Sequence, residues 1–140
     1  DFTGGSDTIF LAVVDGDAVS LIQSLFEAFG SCVMVPETGI ILHNRGRGFT
    51  LEPNYVNCIE PHKRPYHMLH PAMILKDGRP YIVLGTPGAD GQTQTVIQMT
   101  TSMLDFKANV QEATEAPRWR SNPDGTLQLE SRFPTETIPN

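Results

Sequence analysis

Cysteine is scarce in this chain: Cys32 and Cys58 are the two present in 140 residues. A pair at that spacing matches no zinc pattern and cannot form a multi-bridge scaffold, so both are expected as buried free thiols. Basic residues are also few. Ten Lys and Arg against sixteen Asp and Glu leave a net charge of −6, and the ten are scattered, which argues against a nucleic-acid partner. No apolar run approaches the roughly 20 residues needed to cross a bilayer, so no membrane span is expected in this chain. Ser24 and Ser31 sit in no GxSxG elbow. The segment Gly85–Gly91 lacks the GxGxxG spacing, and the acid that would meet a ribose, of a dinucleotide site. His67 and His70 are three apart, but Pro65 and Pro71 argue against a helix that would align them, and no Asp or Glu lies close to complete a set. Neither a metal nor a cofactor is expected.

Eleven prolines and twelve glycines instead suit short strands joined by turns. The stretch Asp7 to Ser24 organises the rest. It alternates along Phe10 to Val14, turns at Asp15-Gly16-Asp17 and resumes through Ala18 to Ile22, the pattern of a β-hairpin. Thr8 stands at its start, behind a lead, Asp1 to Asp7, that contains Gly4-Gly5 and has no periodicity. If the Asp7–Thr8 peptide bond were cut, Thr8 would carry a hydroxyl and a free α-amine on one residue. Such an amine has an unperturbed pKa of about 7.7–8.0 and serves as the base that a threonine hydroxyl needs. The plainer alternative is a β-branched residue in a strand.

Further along, Pro36-Glu37-Thr38-Gly39 forms a turn before a short strand, Ile40 to Leu42, and Asn44 to Gly48 reads as a loop. Residues 50–71 have four prolines and little periodicity, a long ordered excursion of the kind that carries function. A second hairpin pairs Ala72–Leu75 with Tyr81–Leu84 around Lys76-Asp77-Gly78. Helical spacing of Val96, Met99, Met103 and Leu104 predicts a helix from Gln92 to about Phe106. Asn109 is placed to cap a second helix, Val110 to Ala116, which Pro117 stops. Thr126 to Leu129 reads as one more strand, and Thr135 as the cap of a helix that does not follow.

Between the second hairpin and the first helix lies Gly85-Thr86-Pro87-Gly88-Ala89-Asp90-Gly91. A strand-to-helix junction of small residues can aim backbone N–H groups at a developing oxyanion, and Gly88 and Ala89 are the residues chosen for that task. The alternative is a tight turn capped by Asp90. Arg45, Arg47 and Arg64 could meet an anionic substrate or be solvated.

Taken together, the strand headed by Thr8, VPETGIILHN, KRPYHMLHP, GTPGADGQ and NVQEATEAPRW resemble the gamma-glutamyltranspeptidase family, in order from Thr8 to about Phe133. The resemblance implies an α+β fold, part of the αββα four-layer sandwich of N-terminal nucleophile hydrolases. It also implies a precursor that cuts itself before the threonine into a large and a small subunit that stay associated. Residues 1–7 would then be the end of the large subunit or a precursor lead, and residues 8–140 a small-subunit catalytic domain that stops short at its C-terminus. By the same resemblance Thr8 is the nucleophile, Ser24 a supporting hydroxyl near its amine, Gly88 and Ala89 the oxyanion pair, and Asp7 the donor of the carbonyl attacked in self-cleavage. His67, Met68, Asp90 and Arg45 fall at the substrate. The large subunit is the implied partner, and a small amide or gamma-glutamyl-like compound the implied substrate.

Several departures bear on that substrate. Phe26 stands where the family pattern has asparagine, Arg45 where it has glutamine or glutamate, and Gly48 where it has aspartate; His67 and Met68 replace paired serines. Losing the aspartate removes a partner for an ammonium group and weighs against glutathione as a substrate. The expected activity is amide hydrolysis or acyl transfer. The competing expectation is a catalytically silent or uncleaved relative that serves as a binding or structural unit.

Overall fold

The computed structural model describes residues 5–137; residues 1–4, the first part of the lead expected ahead of Thr8, lie outside them. The chain divides into two compact units, Asp1–Asp90 and Gly91–Asn140.

The first unit is built from two hairpins. Strand β1 (Gly5–Val14) pairs antiparallel with β2 (Asp17–Glu27), and β3 (Ala72–Lys76) with β4 (Arg79–Leu84). Each turn places an Asp-Gly pair at positive φ, Asp15 at 50° and Gly16 at 92° in one, Asp77 at 53° and Gly78 at 76° in the other. Two consecutive left-handed residues match the right-handed twist of the flanking strands, which is why Asp-Gly closes both hairpins. The first hairpin is longer than the sequence pattern suggests. Pairing continues past Thr8 to Asp7↔Ser24 and Gly5↔Glu27, so the Asp7–Thr8 peptide bond runs inside a strand rather than at the end of a loose lead.

Along β2, alternate residues Ala18, Ser20, Ile22 and Ser24 are half-buried while Val19, Leu21 and Gln23 are exposed. The half-buried row faces β4: the Ser20 hydroxyl donates to the Leu84 carbonyl at 3.0 Å, and Leu84 is buried. Between the hairpins the chain is mostly irregular, as its prolines require. The expected strand Ile40–Leu42 is reduced to a single bridge, Met34↔Ile41, with backbone hydrogen bonds from Ser31 and Val35 N–H to the carbonyls of Leu42 and Ile40 beside it. Arg45–Gly48 forms one 3-10 turn. The two cysteines depart from expectation. Both thiols are free, but Cys32 is exposed in a turn at φ 58° and Cys58 is only half-buried, since both fall in irregular segments that no packed layer covers.

In the second unit, helix α1 (Gln92–Leu104) buries Val96, and α2 (Val110–Glu115) buries Ala113. Asn109 caps α2 reciprocally: its side chain accepts from the Glu112 N–H at 2.9 Å, and the Glu112 carboxylate accepts from the Asn109 N–H at 2.8 Å. Strands β5 (Trp119–Ser121) and β6 (Leu127–Leu129) pair antiparallel. Two glutamines of α1 stand in for a neighbouring strand. Gln94 accepts from Ser121 N–H at 2.8 Å and donates to its carbonyl at 3.0 Å; Gln98 does the same at Trp119, at 3.1 and 2.9 Å. Strand β5 has no signal in its three residues because side chains one turn apart on α1 satisfy its edge. Thr135 opens only a single 3-10 turn, Thr135–Thr137.

Leu84, Val96 and Ala113 are the buried apolar side chains among the described residues, whereas Phe10 is 55% exposed, Val13 66% and Leu21 50%. A hairpin with apolar side chains open on both faces has not completed its own core. Among the described residues no helix is long and apolar enough to cross a membrane.

Candidate active site

Thr8 is exposed on β1 and pairs with Gln23; its neighbours in the ladder are Ile9↔Ile22 and Asp7↔Ser24. Directly paired residues of antiparallel strands share a face. Ser24, paired with Asp7 one rung from Thr8, belongs to the half-buried row of β2, so its side chain is on the face opposite that of Thr8. Its hydroxyl oxygen accepts the Phe26 N–H at 2.9 Å, which fixes the side chain and leaves its own proton to donate.

The glycine-rich loop leaves β4 at this end of the hairpin. A Cβ on Gly85 would lie 3.2 Å from Cγ2 of Ile9 and 3.3 Å from Cδ1 of Ile22, so the absence of a side chain lets the strand end settle beside the residue that follows Thr8. Thr86 is buried and donates its hydroxyl to the Pro87 carbonyl at 2.9 Å. Gly88 then takes φ 129° and Ala89 φ 49°. Both are exposed, and consecutive left-handed residues turn the backbone sharply ahead of α1. Asp90 is exposed in the 3-10 turn Ala89–Gly91 that follows. The residue that caps α1 is Gly91, without a side-chain hydrogen bond, so the capping role weighed for Asp90 is not taken up there.

A second group of expected site residues gathers against the far end of β2. Asn44 holds the 3-10 turn to that strand: its N–H donates to Leu25 O at 3.1 Å, its Oδ1 accepts from Glu27 N–H at 3.1 Å, and its Nδ2 donates to the Glu27 carboxylate at 2.7 Å. Arg47 also pairs with that carboxylate. Arg45 points inward, 5% exposed, with its guanidinium 5.1 Å from the centroid of the Phe26 ring. Its N–H donates to Nδ1 of His43 at 3.3 Å. His67 is held below the ordinary imidazole pKa, first by partial loss of hydration, then by the positive charge of Arg45, with smaller contributions from His43 and Arg64. Met68, next to it, is half-buried. Asn57, which no sequence pattern marks, ties the two segments together: it donates to Gly48 O at 2.5 Å and accepts from Tyr66 N–H at 2.9 Å. Among the described residues, no three His, Cys, Asp or Glu side chains gather as a metal set.

The strand–loop arrangement of the first unit, and the order of elements through the second, recur in known proteins. The family model described as gamma-glutamyltranspeptidase matches residues 2–140. The chain is 47% identical over 142 residues to the glutathione hydrolase-like YwrD proenzyme of Bacillus subtilis, covering 96% of this chain and 27% of that protein. It is 41% identical over 138 residues to the oxamate amidohydrolase proenzyme of Klebsiella pneumoniae, covering 93% and 26%. The crystal structure of the Helicobacter pylori gamma-glutamyltranspeptidase T380A mutant superposes with a TM-score of 0.82 at 26% identity, over 92% of this chain and 76% of that one. The chain thus spans about a quarter of the length of the curated relatives it matches. A match that runs through both units, in sequence and in backbone, leaves one assignment: the chain belongs to the gamma-glutamyltranspeptidase family.

Proposed function

We propose that this chain carries the nucleophile of an amide-bond hydrolase or acyltransferase, with Thr8 released as an N-terminal residue. The observation that supports it most is that Gly85, which opens the glycine-rich loop, lies against Ile9, the residue next to the exposed Thr8 on β1. In the first step the Thr8 hydroxyl adds to the Asp7 carbonyl, the C–N bond breaks so that the peptide becomes an ester and the Thr8 amine is freed, and water then hydrolyses the ester to the Asp7 carboxylate and the Thr8 hydroxyl. In turnover that amine takes the hydroxyl proton as the oxygen attacks the substrate carbonyl. The N–H groups of Gly88 and Ala89 hold the oxyanion. The proton then passes to the leaving amine, the C–N bond breaks, and an acyl ester remains on Thr8. Water, or a second amine in transfer, attacks that ester and restores the hydroxyl. Ser24 supports the amine from the neighbouring rung.

The apolar side chains open on both faces of the first hairpin support a core shared with a large subunit cut from the same precursor, in an αββα sandwich. Here residues 1–7 end the large subunit and residues 8–140 form the catalytic small-subunit portion. Among the relatives, one is named for glutathione, whose donor end carries both an ammonium and a carboxylate, and one for oxamate, the monoamide of a diacid without an ammonium. The replacement of an expected aspartate by Gly48 favours the second kind of donor.

N-terminal sequencing and intact mass of the full-length product test this reading. A small subunit that begins at Thr8, and loss of both cleavage and anilide hydrolysis by ~10³-fold or more in Thr8→Ala, are expected. Well-folded protein that keeps the Asp7–Thr8 bond after long incubation, with Thr8→Ala changing nothing, would establish the silent relative instead.

A further inference from the structure

We propose that Arg45 is an anion receptor that selects donor amides whose acyl group ends in a carboxylate and carries no ammonium. The inference rests on the reading of Thr8 as nucleophile. A guanidinium has five N–H donors in a planar fork and never loses its charge, so taking it out of water demands partners. The Arg45 side chain is 5% exposed, yet its Nη1 has no hydrogen-bond partner among the described residues. The Phe26 ring beneath it, 5.1 Å away, answers part of the positive charge but accepts none of the N–H groups in the guanidinium plane.

Glu27, the acidic residue on the same strand end, is engaged by Arg47 and by Asn44. What remains is a buried cation with one edge unmatched. A carboxylate satisfies the fork with two parallel hydrogen bonds. An ammonium there meets like charge and no acceptor.

The receptor is also suitably placed. Phe26 lies three residues beyond Gln23, the rung opposite Thr8, a span of about 10 Å along an extended strand. An arginine side chain and a short diacid monoamide together bridge such a distance. The positive φ of Phe26, 78°, turns the strand there and sets the ring under the guanidinium.

The test uses the full-length enzyme and three p-nitroanilides: glutaryl, the methyl ester of glutaryl, and γ-glutamyl. Wild type is expected to prefer glutaryl to both others in kcat/KM. The glutaryl-to-ester ratio should fall about 10- to 100-fold in Arg45→Met, and less in Arg45→Lys, which keeps the charge but not the fork. A ratio unchanged in Arg45→Met, with both substrates losing equally, assigns Arg45 to structure and overturns the proposal, as does a wild type that prefers the ester or the γ-glutamyl compound. If Arg45→Met fails to fold, the Arg45→Lys ratio decides. Failure of the Thr8 reading shows differently, as no turnover of any anilide by wild type. In that case calorimetry of free glutarate still tests the receptor: binding that Arg45→Met abolishes upholds it, and absence of binding to wild type refutes it.

Discussion

Gly85 packs flat on Ile9: a Cβ at Gly85 would approach the Ile9 side chain to 3.2 Å, tighter than ordinary van der Waals contact. The contact couples the glycine-rich loop to the strand that presents Thr8. Gly85→Ala pushes against two β-branched side chains, Ile9 and Ile22, whose χ1 freedom is small, so the loop rather than the hairpin gives way. Overpacking of this kind costs about 1–3 kcal/mol. A lower thermal midpoint and a kcat reduced more than KM is changed are expected in the full-length enzyme. A variant with wild-type kcat would show that the loop's position does not matter to turnover.

Ala89 is held at φ 49°, where an L-residue with a Cβ is strained by roughly 1–2 kcal/mol. Ala89→Gly relieves that strain but loosens the unfolded chain by about 0.4–1 kcal/mol, so stability should change by no more than about 1 kcal/mol. Ala89→Val puts a β-branched residue at a positive φ that it strongly disfavours and should destabilise by about 1–3 kcal/mol. Thermal melts of the two variants check the order Gly at or above Ala, and Ala above Val. Equal midpoints for Ala and Val would mean the left-handed turn is not kept in solution.

His67 binds its proton more weakly in the folded chain than the ordinary imidazole value of 6.5, through lost hydration and then the charge of Arg45. As pH falls through 6.5 the unfolded chain takes up the proton first. Folding is therefore weakened between 6.5 and the lower folded value, with no further change from this group below it. The imidazole NMR titration should have its midpoint below 6.5, and Arg45→Met should move it upward. The thermal midpoint of His67→Gln should fall less than that of wild type between pH 7.5 and 5.5. A His67 midpoint at or above 6.5 would contradict this electrostatic arrangement.

Several elements were legible in the residues because local chemistry alone specifies them. Asp15-Gly16 and Asp77-Gly78 close the two hairpins through their tolerance of positive φ. Asn109 and Glu112 cap α2 through a reciprocal pair three residues apart. Strand β5 was not legible, because its edge is satisfied by Gln94 and Gln98, residues that read simply as polar helix positions. Nor did anything in the residues mark Asn57, whose hydrogen bonds reach segments nine positions away on either side.

The order of residues by itself determined the turns, the helix cap, the family membership and the identity of the residue offered as nucleophile, since each depends on side-chain chemistry read within a short window. Tertiary structure alone decided that Gly85 lies against Ile9, that Arg45 is buried over the Phe26 ring with an unmatched edge, and that Cys32 is open to solvent. Burial and close approach depend on which distant segments fold against one another, and no window of neighbouring residues contains that information.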